Sequence, residues 1–225
     1  MEDGNQMINI IYEDNHLLVV EKPINIPVQE DSSKDLDFLS LLKGFIKKRD
    51  NKPGNVYLGL VHRLDRPVGG IMVFAKTSKC ASRLSEQVRN RTFKKTYYAV
   101  VEGKLDSTGK FKDRLLKDPK TNIVKIDKNG KEAILDYKLI DTKDNLSLVK
   151  INLETGRSHQ IRVQFSSRNH ALYGDQKYNS NSKVGEQIAL FSNSITFCHP
   201  ITKEILTFKI DLPSTKPWNL FNNVK

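Results

Sequence analysis

Leu58-Gly59-Leu60-Val61-His62-Arg63-Leu64-Asp65-Arg66-Pro67-Val68-Gly69-Gly70-Ile71-Met72-Val73-Phe74-Ala75-Lys76-Thr77 sets a compact polar cluster between two apolar runs. Each run reads as a buried strand, and Pro67 with the Gly69-Gly70 pair breaks the chain between them. Asp65 then stands at the mouth of a rigid frame. Its sequence neighbours Arg63 and Arg66 favour the ionised carboxylate at neutral pH. Such a carboxylate can serve as nucleophile, base or metal ligand. Taken alone, the same residues also fit a solvated connection with a surface ion pair of little energetic weight.

Outward from this stretch, 225 residues suffice for a substantial core, and a hydrophobic share of 38% with 28% charged residues is that of a soluble globular protein. No run approaches the length of a membrane span, and Met1-Glu2-Asp3-Gly4-Asn5-Gln6 lacks the basic-then-apolar layout of a signal peptide, so a cytoplasmic protein is expected. Cys80 and Cys198 are two isolated cysteines, read as reduced and structural, and they cannot by themselves make a Cys-type zinc site.

A net charge of +11, from 37 Lys+Arg against 26 Asp+Glu, points to a polyanionic partner. The excess is uneven. Lys76, Lys79, Arg83, Arg89, Arg91, Lys94 and Lys95 face the single acid Glu86 between positions 76 and 95, which makes this segment the candidate phosphate-binding face.

In chain order, Ile8 to Tyr12 and Leu17 to Lys22 read as a hairpin, and Asp35 to Lys48 as a helix whose last turn is basic. Ser78 is positioned to cap a helix through about Asn90, with Ala81, Leu84 and Val88 on one face. Thr92 to Gly103 is rich in β-formers. Leu105 to Gly130 reads as irregular, mobile surface with a strand over 122–126. Two hairpins follow, 132–140 with 146–153 and 189–198 with 205–212, and then an irregular tail around Pro213, Pro217 and Trp218. Between them Glu154 to Phe165 turns through Gly156 into a helix that sets Ile161 and Phe165 on one face and His159 and Arg162 on another.

Three of these stretches together resemble the RluA-type pseudouridine synthases. His62-Arg63-Leu64-Asp65 with Gly70 and Ala75-Lys76-Thr77 resembles the family's active-site motif, and Lys95, Tyr97, Ala99, Val101 and Gly103 match its second. Thr155-Gly156-Arg157-Ser158-His159-Gln160-Ile161-Arg162 matches the third, and Gly174-Asp175-Gln176-Lys177-Tyr178 follows a further family pattern. The chain departs from the common form at Val68-Gly69, where the family has Thr-Ser, and at Gln164, where it usually has histidine.

The resemblance implies one catalytic domain over residues 1–225, without an N-terminal S4 domain. The implied fold is α+β, a mixed, mostly antiparallel sheet with helices on one side and a catalytic cleft across it. The implied reaction isomerises uridine in RNA: the glycosidic bond breaks, the base turns and rejoins through carbon, and no cofactor is needed. Asp65 would act on the ribose of a flipped-out nucleotide, Arg162 would pair with it, and Tyr97 would lie against the base. Arg63 would help hold the RNA open, with His62, Arg66, Lys76, Lys95, Arg157, His159 and Gln160 completing the substrate-binding set. The expected partner is a ribosomal or transfer RNA stem-loop, with no metal, no membrane and a monomeric state. His62 and His159 lack the spacing of a zinc site, and no serine or cysteine elbow supports a hydrolase. The alternative is a catalytically silent RNA-binding protein on the same fold.

Overall fold

A computed structural model describes residues 8–221 apart from Ser32 and Ser180, so the reading of Met1 to Gln6 lies outside the described residues. The chain opens with strands β1 (Asn9–Glu13) and β2 (Leu17–Lys22), helix α1 (Phe38–Arg49), strands β3 (Gly59–Leu60) and β4 (Gly69–Ala75), and helix α2 (Ser78–Arg89). It continues through β5 (Lys94–Glu102), β6 (Thr108–Lys117), β7 (Val124–Ile126), β8 (Lys131–Lys143) and β9 (Leu146–Leu153) to helix α3 (Gln160–Ser166). β10 (Leu190–Cys198), β11 (Ile205–Lys209) and a 3-10 turn at Trp218–Leu220 close it. The fold is α+β with a mostly antiparallel sheet, as expected.

The chain forms two compact units, one built from the residues up to Phe93 with Thr196–Phe208, the other from Lys94–Ile195 with Lys209–Lys225. In the first, β2 lies between β1 and β4, and β3 pairs with the end of β4. All seven residues of β4 are buried, which a continuous apolar run predicts for a strand covered on both faces. The strand begins at Gly69, so the two glycines that read as a chain break belong to the sheet. Gly70 has φ +124° and stands opposite Lys22, a backbone conformation open to glycine and strained for other residues.

Helix α2 packs on β3 and β4 with Cys80 and Leu84 buried. Gly59 permits the approach, because a Cβ there would sit 2.7 Å from Ala81 Cβ. Its cap is Thr77, whose hydroxyl accepts the Cys80 N–H, one residue before the serine that the sequence suggested. Likewise α1 starts at Phe38 behind the cap Asp37, whose carboxylate takes the Ser40 N–H and relieves an orphan donor.

In the second unit the strand order is β5-β9-β8-β6-β7. β6 corrects the reading of residues 105–130 as irregular. Its charged residues alternate with Phe111 and Leu115, which are buried four apart on one face, so the segment is a one-sided strand paired along β8 from Thr108 to Leu115. Helix α3 packs on β6 and β7. Six of its seven residues, Gln160 to Phe165, are buried, so it has no fully solvated face. The tail is likewise part of a core: Trp218 and Phe221 pack with Val100, Leu148, Ala189 and Phe191.

Candidate active site

The Asp65 turn is built from below. Leu64 and Val68 are buried on either side of the half-buried Asp65, and the Asp65 carbonyl accepts the Val68 N–H at 2.9 Å. Lys22 comes up from β2, fully buried, and its ammonium donates to the carbonyls of Pro23 (2.7 Å), Arg66 (3.2 Å) and Val68 (2.8 Å). Burial draws the Lys22 pKa down to about 7, and the Asp65 charge opposes that shift. One amine thus fixes both ends of the turn that presents the carboxylate. The sequence reading passed over Lys22, since a lysine at a strand end is ordinarily solvated.

The other polar residues of the motif divide by burial. His62 is buried, its Nε2 accepts the Val73 N–H at 3.2 Å, and its ring lies 5.4 Å from that of Phe93. Arg63 is exposed, and no ion pair engages it among the described residues. Arg66 reaches the carboxylate of Asp35 and the Ser33 hydroxyl. Lys76 is spent on structure: its ammonium meets Glu13 at 2.8 Å and the Asp14 carbonyl at 2.6 Å. Glu13 is drawn down to about 2, mainly by its hydrogen bonds with Arg49, against the effect of burial and with help from Lys76. In the basic segment Lys79, Arg89, Arg91 and Lys94 are exposed, whereas Arg83 donates to the Pro200 carbonyl and Lys95 is buried.

In the second unit, Arg162 is buried and held bidentately by Asp175, Nε to Oδ2 at 2.8 Å and Nη2 to Oδ1 at 2.6 Å. The guanidinium lies 5.2 Å from the centre of the Tyr178 ring. Asp175 also accepts the N–H groups of Lys177 and Tyr178. The Tyr178 hydroxyl in turn meets His159 Nδ1 at 2.7 Å and accepts the Val124 N–H. Neither Asp175 nor Tyr178 was given a role from the sequence beyond the family pattern. The buried arginine itself was the signal, because a buried charge requires a partner.

The loop before α3 is closed by Thr155 and Gln160. Gln160 Oε1 accepts from the Thr155 hydroxyl and the Arg157 N–H, and its amide donates to the Ile134 carbonyl. Gln160 is therefore an internal clasp, His159 takes the left-handed conformation at φ 50°, and Arg157 remains exposed. Tyr97 is buried on β5 with Lys95 on the same strand face. Gln164 donates to Asp113 at 2.7 Å and to the Ala133 carbonyl, tying α3 to β6 and β8. Among the described residues, no group of three His, Cys, Asp or Glu is placed to hold a metal ion, and no helix is long and apolar enough to cross a membrane.

The first unit thus carries a carboxylate on a braced turn, and the second a tyrosine on a buried strand and a clamped arginine. Residues 16–167, which contain all three, match the family of RNA pseudouridylate synthases. The chain belongs to that family, and its activity is the isomerisation of uridine in RNA to pseudouridine.

Among its relatives, YhcT, an uncharacterized RNA pseudouridine synthase of Bacillus subtilis, is 33% identical over 211 residues, covering 92% of this chain and 69% of that protein. The ribosomal large subunit pseudouridine synthase D of Zymomonas mobilis is 32% identical over 221 residues, with the same coverage of 92% and 69%. The solved structure of human RNA pseudouridylate synthase domain containing 4 shares the fold, with TM-score 0.77 at 22% identity over 91% of this chain and 88% of that one.

Proposed function

We propose that this enzyme modifies uridines in ribosomal or transfer RNA in the cytoplasm, with its two units serving one catalytic domain. The observation that carries the reading is the Asp65 turn, braced through Lys22 inside the stretch that matches the family. Asp65 acts on the ribose, as nucleophile at the anomeric carbon or as base on the sugar. Arg162, oriented by Asp175, serves as the charge partner of Asp65, and Tyr97 stacks on the base. Taking the uridine out of its stack costs a few kcal/mol, which favours loops and weak pairs as targets. Arg63, exposed beside Asp65, holds the opened RNA, and Arg66 and Arg157 meet its backbone. Lys95 and His159 complete the substrate-binding set, and His62, Lys76 and Gln160 support it from within through their internal bonds. A ribosomal target is favoured by the similarity to the ribosomal large subunit pseudouridine synthase D of Zymomonas mobilis. The free cysteines suit a reducing compartment.

The test is carbodiimide mapping of pseudouridine on total RNA from cells lacking the gene and from cells restored with wild type or Asp65→Asn. One site that vanishes on deletion and returns only with wild type establishes the substrate and the role of Asp65. Restoration by Asp65→Asn would remove that role, and a silent RNA-binding protein would leave every site unchanged.

A further inference from the structure

Lys95 is buried to 8% exposure, yet no hydrogen bond or ion pair engages its ammonium among the described residues. Burial alone lowers its pKa. An ammonium this far withdrawn from water without a counter-charge is costly, and an anion that reached it would offset that cost. The place is shaped for the amine. On β5 it shares a strand face with Tyr97, and its Nζ reaches beneath exposed Gly156, where a Cβ would lie 3.0 Å from it. On the next residue, the exposed Arg157 anchors its Nε on the Glu132 carbonyl. A buried cation and a rim cation therefore flank the one residue of this loop that carries no side chain.

We propose that Lys95 and the Gly156 backbone form a seat for one phosphodiester group of the bound RNA, next to the base that Tyr97 contacts. This rests on the proposed role of Tyr97 and specifies which part of the substrate Lys95 meets. RNA offers a formal anion only at its phosphates, and an anion compensates a buried ammonium better than a ribose hydroxyl or a base carbonyl does. The lack of a side chain at Gly156 lets the phosphate oxygens come down onto the amine.

The experiment compares wild type, Lys95→Met and Asp65→Asn on a short hairpin transcript with a uridine loop, at several KCl concentrations. A second set of hairpins carries a single neutral methylphosphonate at each loop linkage in turn. Lys95→Met is expected to weaken binding roughly tenfold or more and to make the salt dependence shallower by roughly 0.7–0.9 of a log unit per log unit of salt. It is also expected to keep or raise the melting temperature, because it removes a buried unpaired charge. Wild type should lose affinity at one particular linkage, and Lys95→Met should lose nothing further there. A lower melting temperature with unchanged RNA affinity would make Lys95 a structural strut and overturn the proposal. Weaker binding at an unchanged salt slope, or the same loss at that linkage in wild type and variant, would place it against a neutral group and overturn it too. Tritium release from uridine-labelled transcripts by wild type and Asp65→Asn tests the catalytic reading separately, since Asp65→Asn should bind like wild type whichever way the lysine result falls.

Discussion

Arg162 on α3 and Asp175 beyond it form a bidentate ion pair whose side chains are 6% and 0% exposed. Two parallel N–H···O bonds fix the plane of the guanidinium as well as its position, which a single contact could not do. The Arg162 side chain is thus set by a residue thirteen positions away, before any RNA arrives. Asp175→Asn leaves the arginine facing an amide N–H₂ in place of one carboxylate oxygen. Breaking a buried pair this way costs about 3–5 kcal/mol. The expected result is a large drop in melting temperature together with loss of tritium release. Stability at the wild-type level in Asp175→Asn would show that the pair is dispensable.

Gly70→Ala tests the turn from the other side. The new side chain must adopt φ +124° opposite Lys22, and a non-glycine residue in such a conformation costs roughly 1–3 kcal/mol. If the strand relieves the strain by shifting, the carbonyl of Val68 leaves the Lys22 ammonium and Asp65 moves with it. The variant should unfold at lower temperature and isomerise uridine more slowly, measured by thermal melting and by tritium release under saturating RNA.

Lys22 gives the stability a particular pH dependence. Its pKa is about 7 in the folded chain against 10.5 ordinarily. Below about 7 both folded and unfolded chains keep the proton, and the cost of burying the charge is present in full. As pH rises above that value the folded chain releases its proton first, the unfolded chain binds more protons, and stability rises until the ordinary lysine value is reached. Lys22→Met lacks this contribution. The difference in unfolding free energy between wild type and Lys22→Met should therefore grow in favour of wild type across the alkaline range and stay level in acid, as urea titrations at a series of pH values would show.

Much of this was legible from contiguous sequence. Asp65, Tyr97 and Arg162 lie in short motifs whose residues the backbone keeps together, and β2, β5 and β9 follow from β-rich and alternating runs. What escaped depends on partners far along the chain. Lys22 meets carbonyls more than forty positions away, Asp175 gains its meaning only from Arg162, and Gln160 turns inward because the Ile134 carbonyl awaits it. β6 was hidden for a different reason. Its lysines and acids dominate the composition, whereas the period of Phe111 and Leu115 decides the structure. Helix α3 had an apolar stripe at Ile161 and Phe165, but Gln164 and Arg162 are buried as well because Asp113 and Asp175 supply their polar partners.

The same logic predicts that the C-terminal segment is needed for the second unit to stay folded. Trp218 is 7% exposed, its ring stands 6.4 Å from Phe191 in an edge arrangement, and it packs with Val100 of β5 and Leu148 of β9. Removing so large a side chain forfeits its transfer energy and leaves a cavity, about 3–5 kcal/mol for Trp→Ala. Val100 lies on the strand that carries Lys95 and Tyr97, five and three residues before it, so loosening this cluster should loosen the site as well. Trp218→Ala is expected to lower the urea midpoint and to raise hydrogen exchange along β5 and β9, with slower isomerisation as the consequence. Trp218→Phe, which retains an aromatic ring against Phe191, should recover most of the loss. A Trp218→Ala protein with wild-type midpoint and exchange would show that the Trp218 packing does not hold the second unit together.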